Sequence, residues 1–445
     1  MKRYEAYDSF LDIWADEIPA HWETHKMKYL FHERSEKGYP DEPLLVASQT
    51  MGVVPKNVYG NRTVEAQKDL HLLKLVRVGD FVISLRSFQG GLEYAYYQGI
   101  ISPAYTVLTP HEPITAGYFR YLAKSKLFIG LLTLCVTGIR EGQNIDYEKL
   151  RNHFLPVPPR EEQDQIVRYL DWQVSKINRL IAAKRKQIAL LHEQHKRRIS
   201  EAVLHGTDDD CCQKDSGVEW IGMIPEHWSV VRCKYVFTER DERSIAGEEE
   251  HLSMSQKYGL VPDSKLDERR MLSESYVGGK VCYKDDLVLN RLKAHLGVFA
   301  LSPQKGVISP DYTVLVPNTE RILPTYGEAV LKSDLCRREL RIRVRGIIEG
   351  FWRLYTDDFN TIVIPLPPLK EQRQIMEYIG TLDEKFTVLK QNLEKEIVVL
   401  HDLRTRLISD VVTGQVDVRS IEVPEFEYVG EADVAEEQDE ESEVG

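Results

Sequence analysis

Long apolar runs are absent from this chain of 445 residues. No segment approaches the ~20 consecutive apolar residues of a membrane-spanning helix. No apolar signal region follows the opening residues, so the sequence predicts a cytoplasmic protein without membrane contacts. Paired cysteines are absent too, since the six cysteines have neither CxxC spacing nor another metal-ligand spacing. We expect reduced thiols with no structural or metal-binding role.

Catalytic motifs are equally scarce. The chain has no Asn/Asp-Pro-Pro-Tyr/Phe methyltransferase motif and no GxxxxGK[ST] phosphate-binding loop. The pair Gly90 and Gly91 does not form a dinucleotide-binding motif. The sequence therefore predicts a protein that is not an enzyme and binds no metal or cofactor of its own.

Basic residues are fewer than acidic ones, and the formal net charge is −12. A negative net charge by itself disfavours a nucleic-acid partner. The excess of acids is local: from Glu422 onward the chain has eleven acidic residues and no Lys or Arg. Without that segment the net charge is near −1, so the charge does not exclude DNA. Such a composition predicts a disordered tail, solubilising or regulatory.

What the sequence does contain is one module in two copies. Four motifs recur in order: Ile-Pro-x-His-Trp at 18–22 and 224–228, Ile-Ser-Pro-x-Tyr-Thr-Val-Leu at 101–108 and 308–315, Gly-Ile-x-Glu-Gly at 138–142 and 346–350, and Pro-x-Pro-Pro at 156–159 and 365–368. The offset grows only from 206 to 209 residues. This period is too long for a solenoid and predicts two pseudo-symmetric domains, suited to a target with two similar parts.

Each copy begins with a globule of mixed α/β character, over roughly 15–155 and 221–364. Phe81–Leu85 and Leu287–Leu289 follow turn residues at matching places and are predicted strands. Residues 115–126 and 326–340 are predicted to be helical.

A long helix follows each globule. Apolar residues recur at spacings of four and three over ~40 residues, on the order of 60 Å of helix, which is typical of a coiled coil. The seam residues are Ile166, Leu170, Val174, Ile177, Ile181, Ile188, Leu191 and His195 in the first helix, and Ile375, Ile379, Leu382, Phe386, Leu389, Leu393, Leu400, Leu407 and Val411 in the second.

The two helices can bury their seams against each other if they run antiparallel and end at the equivalent glycines Gly206 and Gly414. A symmetric register would place Lys184, which interrupts the first seam, near Glu394 or Glu396. The alternative, in which each helix lies on its own globule, stays open.

These motifs, with Glu162-Gln163-Asp164-Gln165-Ile166 and Glu371-Gln372-Arg373-Gln374-Ile375 after the prolines and Gly414-Gln415-Val416-Asp417-Val418-Arg419 at the close, resemble the specificity subunit of type I restriction-modification systems. The resemblance covers residues 15 to about 419 and includes the Ile-Ser-Pro-x-Tyr-Thr-Val segment as a strand. It implies two target recognition domains, each reading one half of a split double-stranded DNA sequence, with the paired helices as a ruler across the unread spacer.

The resemblance also implies partners. Two adenine methyltransferase subunits, and restriction motor subunits joining them, would dock on the chain. S-adenosylmethionine, ATP and Mg would be bound by these partners. Two further function classes remain open: an enzyme with its own nuclease or modification activity hidden in the globules, and a duplicated protein-interaction scaffold that does not contact DNA.

The predicted organisation has six segments: a first recognition domain (1–155), a first spacer helix (156–206), a linker (207–220), a second recognition domain (221–364), a second spacer helix (365–414) and a C-terminal segment with the acidic tail (415–445). The fold class is α/β, with two mixed α/β domains separated by two long antiparallel coiled-coil helices.

Candidate DNA-binding residues lie on loops at equivalent points of the two globules, where side chains can present donors and acceptors to base edges or phosphates. In the first globule they are Ser48, Gln49, Thr50, Arg86, Ser87, Gln89, Arg140, Gln143 and Asn144. In the second they are Ser255, Gln256, Lys257, Arg291, Lys293, His295, Arg345, Trp352 and Arg353. For the first segment of each set, a turn held by the serine hydroxyl is the alternative. For Trp22 and Trp228, core packing is favoured over base stacking.

Overall fold

The fold is taken from a computed structural model, which describes residues 2–59, 69–85, 87–137, 144–208, 210–255, 258–265, 276–346 and 352–430, with only the backbone of His295. Two compact units compose it: unit 1 is Met1–Lys186 with Leu393–Gly445, and unit 2 is Gln187–Asn392. Each unit thus combines one globule, the first part of the long helix that follows it, and the last part of the other long helix.

Most elements of unit 1 have a counterpart at the same place in unit 2. The helices are α1 (Lys56–Tyr59), α2 (Ser87–Gly90), α3 (Ala116–Leu122), α4 (Lys126–Leu134), α5 (Tyr147–Leu150), α6 (Arg160–His205), α7 (Pro324–Lys332), α8 (Asp334–Arg343), α9 (Thr356–Thr361) and α10 (Leu369–Val412). The strands of the first globule are β1 (Tyr7–Ser9), β2 (Glu17–Pro19), β3 (Glu23–Lys26), β4 (Phe31–Arg34), β5 (Leu45–Ser48), β6 (Gly52–Pro55), β7 (Lys74–Val76), β8 (Phe81–Ile83), β9 (Glu93–Tyr94), β10 (Gly99–Ile101), β11 (Thr106–Pro110), β12 (Val136–Thr137), β13 (Asn144–Ile145) and β14 (Phe154–Val157). Those of the second are β15 (Gln213–Asp215), β16 (Met223–Pro225), β17 (Ser229–Arg232), β18 (Phe237–Arg240), β19 (Leu252–Ser255), β20 (Gly259–Pro262), β21 (Lys280–Cys282), β22 (Leu287–Asn290), β23 (Phe299–Leu301), β24 (Gly306–Ile308), β25 (Tyr312–Pro317) and β26 (Val363–Leu366).

An antiparallel four-stranded sheet forms the centre of each globule, in the order β4-β11-β8-β9 in unit 1 and β18-β25-β22-β23 in unit 2. The strands predicted at Phe81 and Leu287 are β8 and β22, the same strand of the two sheets. Arg34 Nε donates to buried Asp80 at 2.8 Å, and Arg240 Nε donates to Asp286 at 3.0 Å. Because each carboxylate precedes its strand, the ion pair fixes the turn that enters the sheet. The mixed α/β prediction is confirmed.

Both predicted helical segments are interrupted by a serine. Ser125 Oγ accepts from the backbone N–H of Phe128 at 3.3 Å, and Ser333 Oγ from that of Cys336 at 3.4 Å. Each serine is therefore the N-cap of a second helix, α4 or α8, because an N-cap residue leaves the helical conformation to satisfy a free N–H group. The patch predicted at 326–340 is two helices, not one.

The Ile-Ser-Pro-x-Tyr-Thr-Val segment, expected as one strand, is two strands joined by a turn. Ile101 ends β10, Tyr105 N–H donates to Ser102 O at 3.1 Å, and Thr106 begins β11. Unit 2 repeats the turn, with Tyr312 N–H donating to Ser309 O at 3.1 Å. The proline has no N–H for a strand ladder, so a turn forms at this point.

The long helices α6 and α10 run antiparallel in each unit. In unit 1 the predicted partner of Lys184 is confirmed, since its Nζ lies 2.6 Å from Glu396 Oε2, and Arg404 donates to Asn178 at 2.8 Å. In unit 2 the His195 ring stacks on Phe386, with centroids 4.3 Å apart.

The seam is buried most deeply where the helices also meet a globule. Residues from Ile166 to Ile181 and from Leu407 to Val411 belong to the core of unit 1, and Ile375 and Ile379 to that of unit 2. The two burial modes predicted as alternatives therefore occur together. Leu389 is 52% exposed, contrary to its predicted place in the seam. A helix has 3.6 residues per turn, so a strict four-three pattern drifts away from the partner where no globule extends the apolar surface.

A hydrogen-bonded cluster, here called the helix clasp, explains two of the repeated motifs. In unit 1, Glu162 in the first turn of α6 accepts from Trp22 Nε1 at 3.1 Å and Tyr4 Oη at 2.5 Å, and its other oxygen lies 2.7 Å from His21 Nε2. In unit 2, Glu371 in the first turn of α10 accepts from Trp228 at 2.9 Å and lies 2.7 Å from His227.

The clasp also receives the end of the other long helix. A Cβ on Gly414 would lie 2.3 Å from Pro19 Cδ, and one on Gly206 would lie 3.3 Å from the Trp228 ring. Gly414 and Gly206 have φ angles of +74° and +86°. Residues other than glycine rarely adopt this backbone conformation. Trp22 and Trp228 are buried, 6% and 1% exposed, so the prediction of core packing is confirmed.

The acidic segment is ordered in part. Residues up to 430 lie on unit 1, where Asn178 Nδ2 donates to Val429 O at 2.9 Å and Val429 N–H donates to Ser175 Oγ at 3.0 Å. The prediction of disorder is wrong for 422–430, because apolar Val423 and Val429 alternate with the acids and pack on the core. Residues 431–445 lie outside the described part of the chain. Among described helices, none combines the length and apolarity needed to cross a bilayer.

Candidate nucleic-acid interface

The segments predicted to contact DNA in unit 1 lie side by side. The β5–β6 turn at 48–52 packs against α2, because a Cβ on Gly90 would lie 3.0 Å from Gln49 Cδ. Asn144 begins β13, which also lies against α2. These contacts bring together three segments of the chain, the outermost of which are almost 100 residues apart in sequence.

Lys124 holds the first two segments together. Its Nζ donates to Gln49 O at 3.2 Å, to Gly90 O at 2.9 Å and to buried Glu93 at 2.8 Å. These three bonds use all the donors of an ammonium group. Lys124 is therefore a positioning residue, and sequence reasoning missed it because both carbonyls belong to the backbone.

The side chains of this region divide by exposure. Ser48 and Ser87 are buried at 4% and 0%, and their hydroxyls accept from the N–H groups of Met51 and Ser84 at 3.2 and 2.8 Å. For Ser48 this hydrogen bond holds the turn that the sequence offered as the alternative to a DNA contact. Gln49, Thr50, Gln89 and Asn144 are exposed and form what we call recognition surface 1. Arg86, Arg140 and Gln143 lie outside the described residues.

A cavity of about 370 Å³ opens beside recognition surface 1. Its lining includes Gln49, Thr50, Lys124, Tyr96 and Tyr428. Arg120 lines it as well and donates to Asp171 at 2.5 Å. Burial disfavours the charge of Arg120, but Tyr121 and Asp171 outweigh it and raise the pKa of the guanidinium, which therefore stays protonated.

In unit 2 the corresponding segments also converge. Leu354 N–H donates to Arg291 O at 3.0 Å, and Arg345 and Arg353 exchange backbone hydrogen bonds of 2.9 and 2.8 Å. The segment after β22 is thereby joined to the segment that follows α8. Gln256 and Lys257 lie outside the described residues, as does the side chain of His295.

The predicted side chains of unit 2 differ in how strongly they are held. Arg291 Nε donates to Thr313 Oγ1 at 2.7 Å, and its Nη2 lies 3.4 Å from Glu239, so this guanidinium is anchored in the sheet. Lys293 is exposed, Trp352 is 37% exposed, and Arg353 lies 3.6 Å from Asp311. Arg345 is exposed and pairs with Asp358. These five residues form recognition surface 2.

The hydroxyl of Ser255 serves a turn in unit 2. Its Oγ accepts from the N–H of Tyr258 at 3.3 Å, as Ser48 does in unit 1. Gly52 and Gly259 occupy the equivalent hairpin position with φ of +76° and +70°. The hairpins thus share a frame while their exposed residues differ. Among the described residues no group of three or more His, Cys, Asp or Glu side chains could hold a metal ion.

Comparison with known proteins explains the shared frame. Residues 228–398 match the type I restriction modification DNA specificity domain. This match supports the resemblance to type I specificity subunits that the sequence predicted. A putative type I restriction enzyme MjaX specificity subunit from Methanocaldococcus jannaschii is 22% identical to it over 440 residues, 91% of this chain and 96% of the relative. The EcoKI specificity subunit of Escherichia coli K12 is 22% identical over 329 residues, 69% of this chain and 67% of the relative.

A solved structure resembles this chain in fold. It comes from work described as the structural basis underlying complex assembly and conformational transition of the type I R-M system. The TM-score is 0.56 at 16% identity, over 90% of this chain and 99% of the other. The likeness is in fold, with two domains of mixed helix and strand and a long helix pair, as the sequence predicted.

Proposed function

We propose that this chain is the DNA sequence-recognition subunit of a type I restriction-modification complex. Unit 1 and unit 2 each bind one half of a bipartite double-stranded target through recognition surfaces 1 and 2. One observation carries the proposal. The two units have the same sheet, capped helices and clasp, yet the described residues of the equivalent exposed loops present amides in one and arginines, a lysine and a tryptophan in the other.

The chemistry of the surfaces suits different half-sites. Gln49, Gln89 and Asn144 offer amides, which pair with the N6 and N7 edge of adenine. Lys293, Arg345 and Arg353 offer cations, which suit guanine O6 and N7 or phosphates, and Trp352 offers an aromatic face. A single frame that carries two chemistries is what recognition of two unlike half-sites requires.

The proposed partners are two adenine methyltransferase subunits, with restriction motor subunits joining the complex. Large apolar side chains about half exposed on the long helices support a docking surface: Leu180, Val398, Val399 and Leu403 in unit 1, and Leu190, Val388 and Leu389 in unit 2. Exposed apolar residues that form a patch commonly mark a protein interface. We place S-adenosylmethionine, ATP and Mg in these partners, and the spacer-setting role of the helices remains a prediction.

The experiment is to co-express the chain with its methyltransferase subunit and map methylated adenines in the host genome. We expect one motif made of two short defined parts around an undefined spacer. The variant Gln49→Ala with Gln89→Ala should relax the bases of one part only. Lys293→Ala with Arg353→Ala should affect only the other part. Glu161→Ala on an exposed helix turn is the control. Continuous motifs, or relaxation of both parts by either variant, would contradict the assignment.

The two rival functions have their own outcomes in purified material. Cleavage or methylation of DNA by the chain without partner subunits would show an activity of its own. A complex that forms with methyltransferase subunits but binds no DNA would show a protein-interaction scaffold.

A further inference from the structure

Helix α8 of unit 2 and helix α4 of unit 1 are equivalent, because each starts after a serine N-cap at the same place in the fold. Both bury the position three residues beyond the cap, Phe128 in α4 and Cys336 in α8. The two helices therefore share a packing face, and a difference on their other faces is not required by the fold.

That difference is a set of arginines. The segment after the cap in unit 2 carries Arg337, Arg338, Arg341, Arg343 and Arg345, and the aligned residues of unit 1 are Ile129, Gly130, Thr133, Cys135 and Thr137. The alignment counts each residue from the two serine caps. Five positive charges thus occur in one copy where the other has none.

Three of the arginines have partners within unit 2. Arg337 lies 3.8 Å from Asp334, Arg343 pairs with Glu339, and Arg345 pairs with Asp358. Arg338 and Arg341 are exposed, and within the described ranges neither has a carboxylate at ion-pair distance. Spaced three residues apart, they lie on one face of the helix.

Helix stability does not account for this pair. Cations in the last turn favour a helix through its dipole, and Arg341 and Arg343 occupy that turn. Arg338 lies before it, in the middle of the helix. Moreover, α4 forms at almost the same length with no cation in its last turn.

The helix face that carries Arg338 and Arg341, here called the arginine face, adjoins recognition surface 2. Helix α8 leads directly into Arg345, whose backbone pairs with that of Arg353, and Leu354 then binds Arg291. Gly297, at the end of the segment that holds Lys293, lies beside Arg337, since its Cβ would be 3.2 Å from Arg337 Nε. The charged face thus borders the proposed base-reading loops.

We propose that Arg338 and Arg341 of α8 bind the phosphate backbone of DNA beside the half-site that unit 2 recognises, a contact that unit 1 lacks. The inference rests on the proposed function and extends it. The partner is inferred from charge, because exposed guanidinium groups attract the phosphates of a polyanion such as DNA. Phosphate contacts carry no sequence information. Unit 2 then supplies more of the sequence-independent affinity.

The test is the salt dependence of DNA binding, measured with the full-length chain in complex with its methyltransferase subunits. The DNA is a duplex of random sequence of about 40 base pairs, and binding is followed by fluorescence anisotropy. Each phosphate contact contributes about 0.9 to the slope of log K against log salt concentration, so Arg338→Gln with Arg341→Gln should reduce the slope by about 1.8. The lysine pair Arg338→Lys with Arg341→Lys should keep the wild-type slope, because an ammonium also neutralises a phosphate.

The matched control removes two exposed arginines of unit 2 on other elements, Arg232→Gln on β17 and Arg373→Gln on α10. It should leave the slope unchanged. A wild-type slope in the α8 glutamine variant, an equal fall in the control, or failure of the lysine pair to restore the slope would each overturn the inference. Loss of methyltransferase binding in the glutamine variant would instead assign the face to a protein partner. A wild-type complex that binds no duplex at all would overturn the proposed function itself.

Discussion

Unit 1 and unit 2 are alike at their clasps and unlike at their recognition surfaces. In both, a glutamate of the first helical turn joins a tryptophan and a histidine, and a glutamine after it, Gln163 or Gln372, donates to two backbone carbonyls at 2.9 Å. The motifs that made the family recognisable in the sequence therefore maintain the frame. Under the proposed function, recognition is assigned to the residues that the two copies do not share.

The clasps differ in one respect that affects stability. Glu162 has three partners and its side chain is 5% exposed, whereas Glu371 has two partners and its side chain is 23% exposed. Tyr4 supplies the additional bond in unit 1, and burial and that bond raise the pKa of its hydroxyl above the ordinary value. Unit 1 should therefore depend more strongly on its clasp.

The largest predicted effect tests that dependence. Glu162→Ala leaves buried Tyr4 and Trp22 without their acceptor and removes the partner of His21. It should lower the stability of unit 1 by roughly 3 to 5 kcal/mol, while Glu371→Ala should cost unit 2 about 2 kcal/mol. Hydrogen exchange measured on peptides from the first turns of α6 and α10 separates the two units. Glu161→Ala, the exposed neighbour, is the control and should change neither. Equal losses of protection in both units would show that the clasps are equivalent.

The next prediction concerns Lys124, whose bonds join two segments of recognition surface 1. Lys124→Met should weaken binding to the first half-site about tenfold, ~1.4 kcal/mol, because the carbonyls of Gln49 and Gly90 lose a shared donor. The equivalent Lys332 pairs with Glu328 on its own helix at 2.7 Å, so Lys332→Met is the matched control. Competition binding with duplexes altered in one half-site measures both. Equal effects at the two half-sites would contradict a local role for Lys124.

Sequence reasoning succeeded where the signal was periodic or repeated. The duplication, the turns before β8 and β22, the long helices and the Lys184–Glu396 pair all follow from spacing along the chain. It did not show that α6 and α10 also pack into the globules, because that surface comes from residues far away in sequence. The serine breaks before α4 and α8 could have been found, since a serine before a helical pattern is an N-cap signal.

The placement of the recognition surfaces stays a prediction, and the structure shows which of the predicted side chains are exposed. The segments around Gln49, Gln89 and Asn144 meet because the β5–β6 turn and β13 both pack against α2. Burial of Ser48 and Ser87 was not visible, since a hydroxyl that serves a turn has the same sequence as one that faces solvent. Sequence reasoning missed the α8 arginines because they lie on a helix and differ from unit 1 only when the two copies are aligned on their serine caps.

A smaller effect is expected from the pair that sets the helix register in unit 1. Lys184 and Glu396 are 28% and 53% exposed, so water screens their attraction and the pair should contribute below about 1 kcal/mol. Lys184→Glu should destabilise unit 1 slightly, and adding Glu396→Lys should restore it. A double-mutant cycle followed by hydrogen exchange of α6 measures the coupling. The absence of any recovery in the double variant would place these side chains apart in solution.

The smallest effect concerns the labelling of cysteines, which should not alter DNA binding. Labelling allows the two units to be followed separately. Unit 1 contains one cysteine, the buried Cys135, whereas unit 2 contains buried Cys233, Cys282 and Cys336 and the more accessible Cys211 and Cys212. Burial raises the pKa of Cys336 to about 12, so at pH 8 its thiolate is scarce as well as shielded. In the native protein a thiol reagent should therefore modify Cys211 and Cys212 alone and leave DNA binding unchanged.

With increasing urea, labelling of Cys336 should report the opening of unit 2 and labelling of Cys135 that of unit 1, each identified by peptide mass. Since the clasp of unit 2 has fewer partners, Cys336 should be labelled at the lower urea concentration, and the reverse order would show that the clasp does not govern which unit opens first.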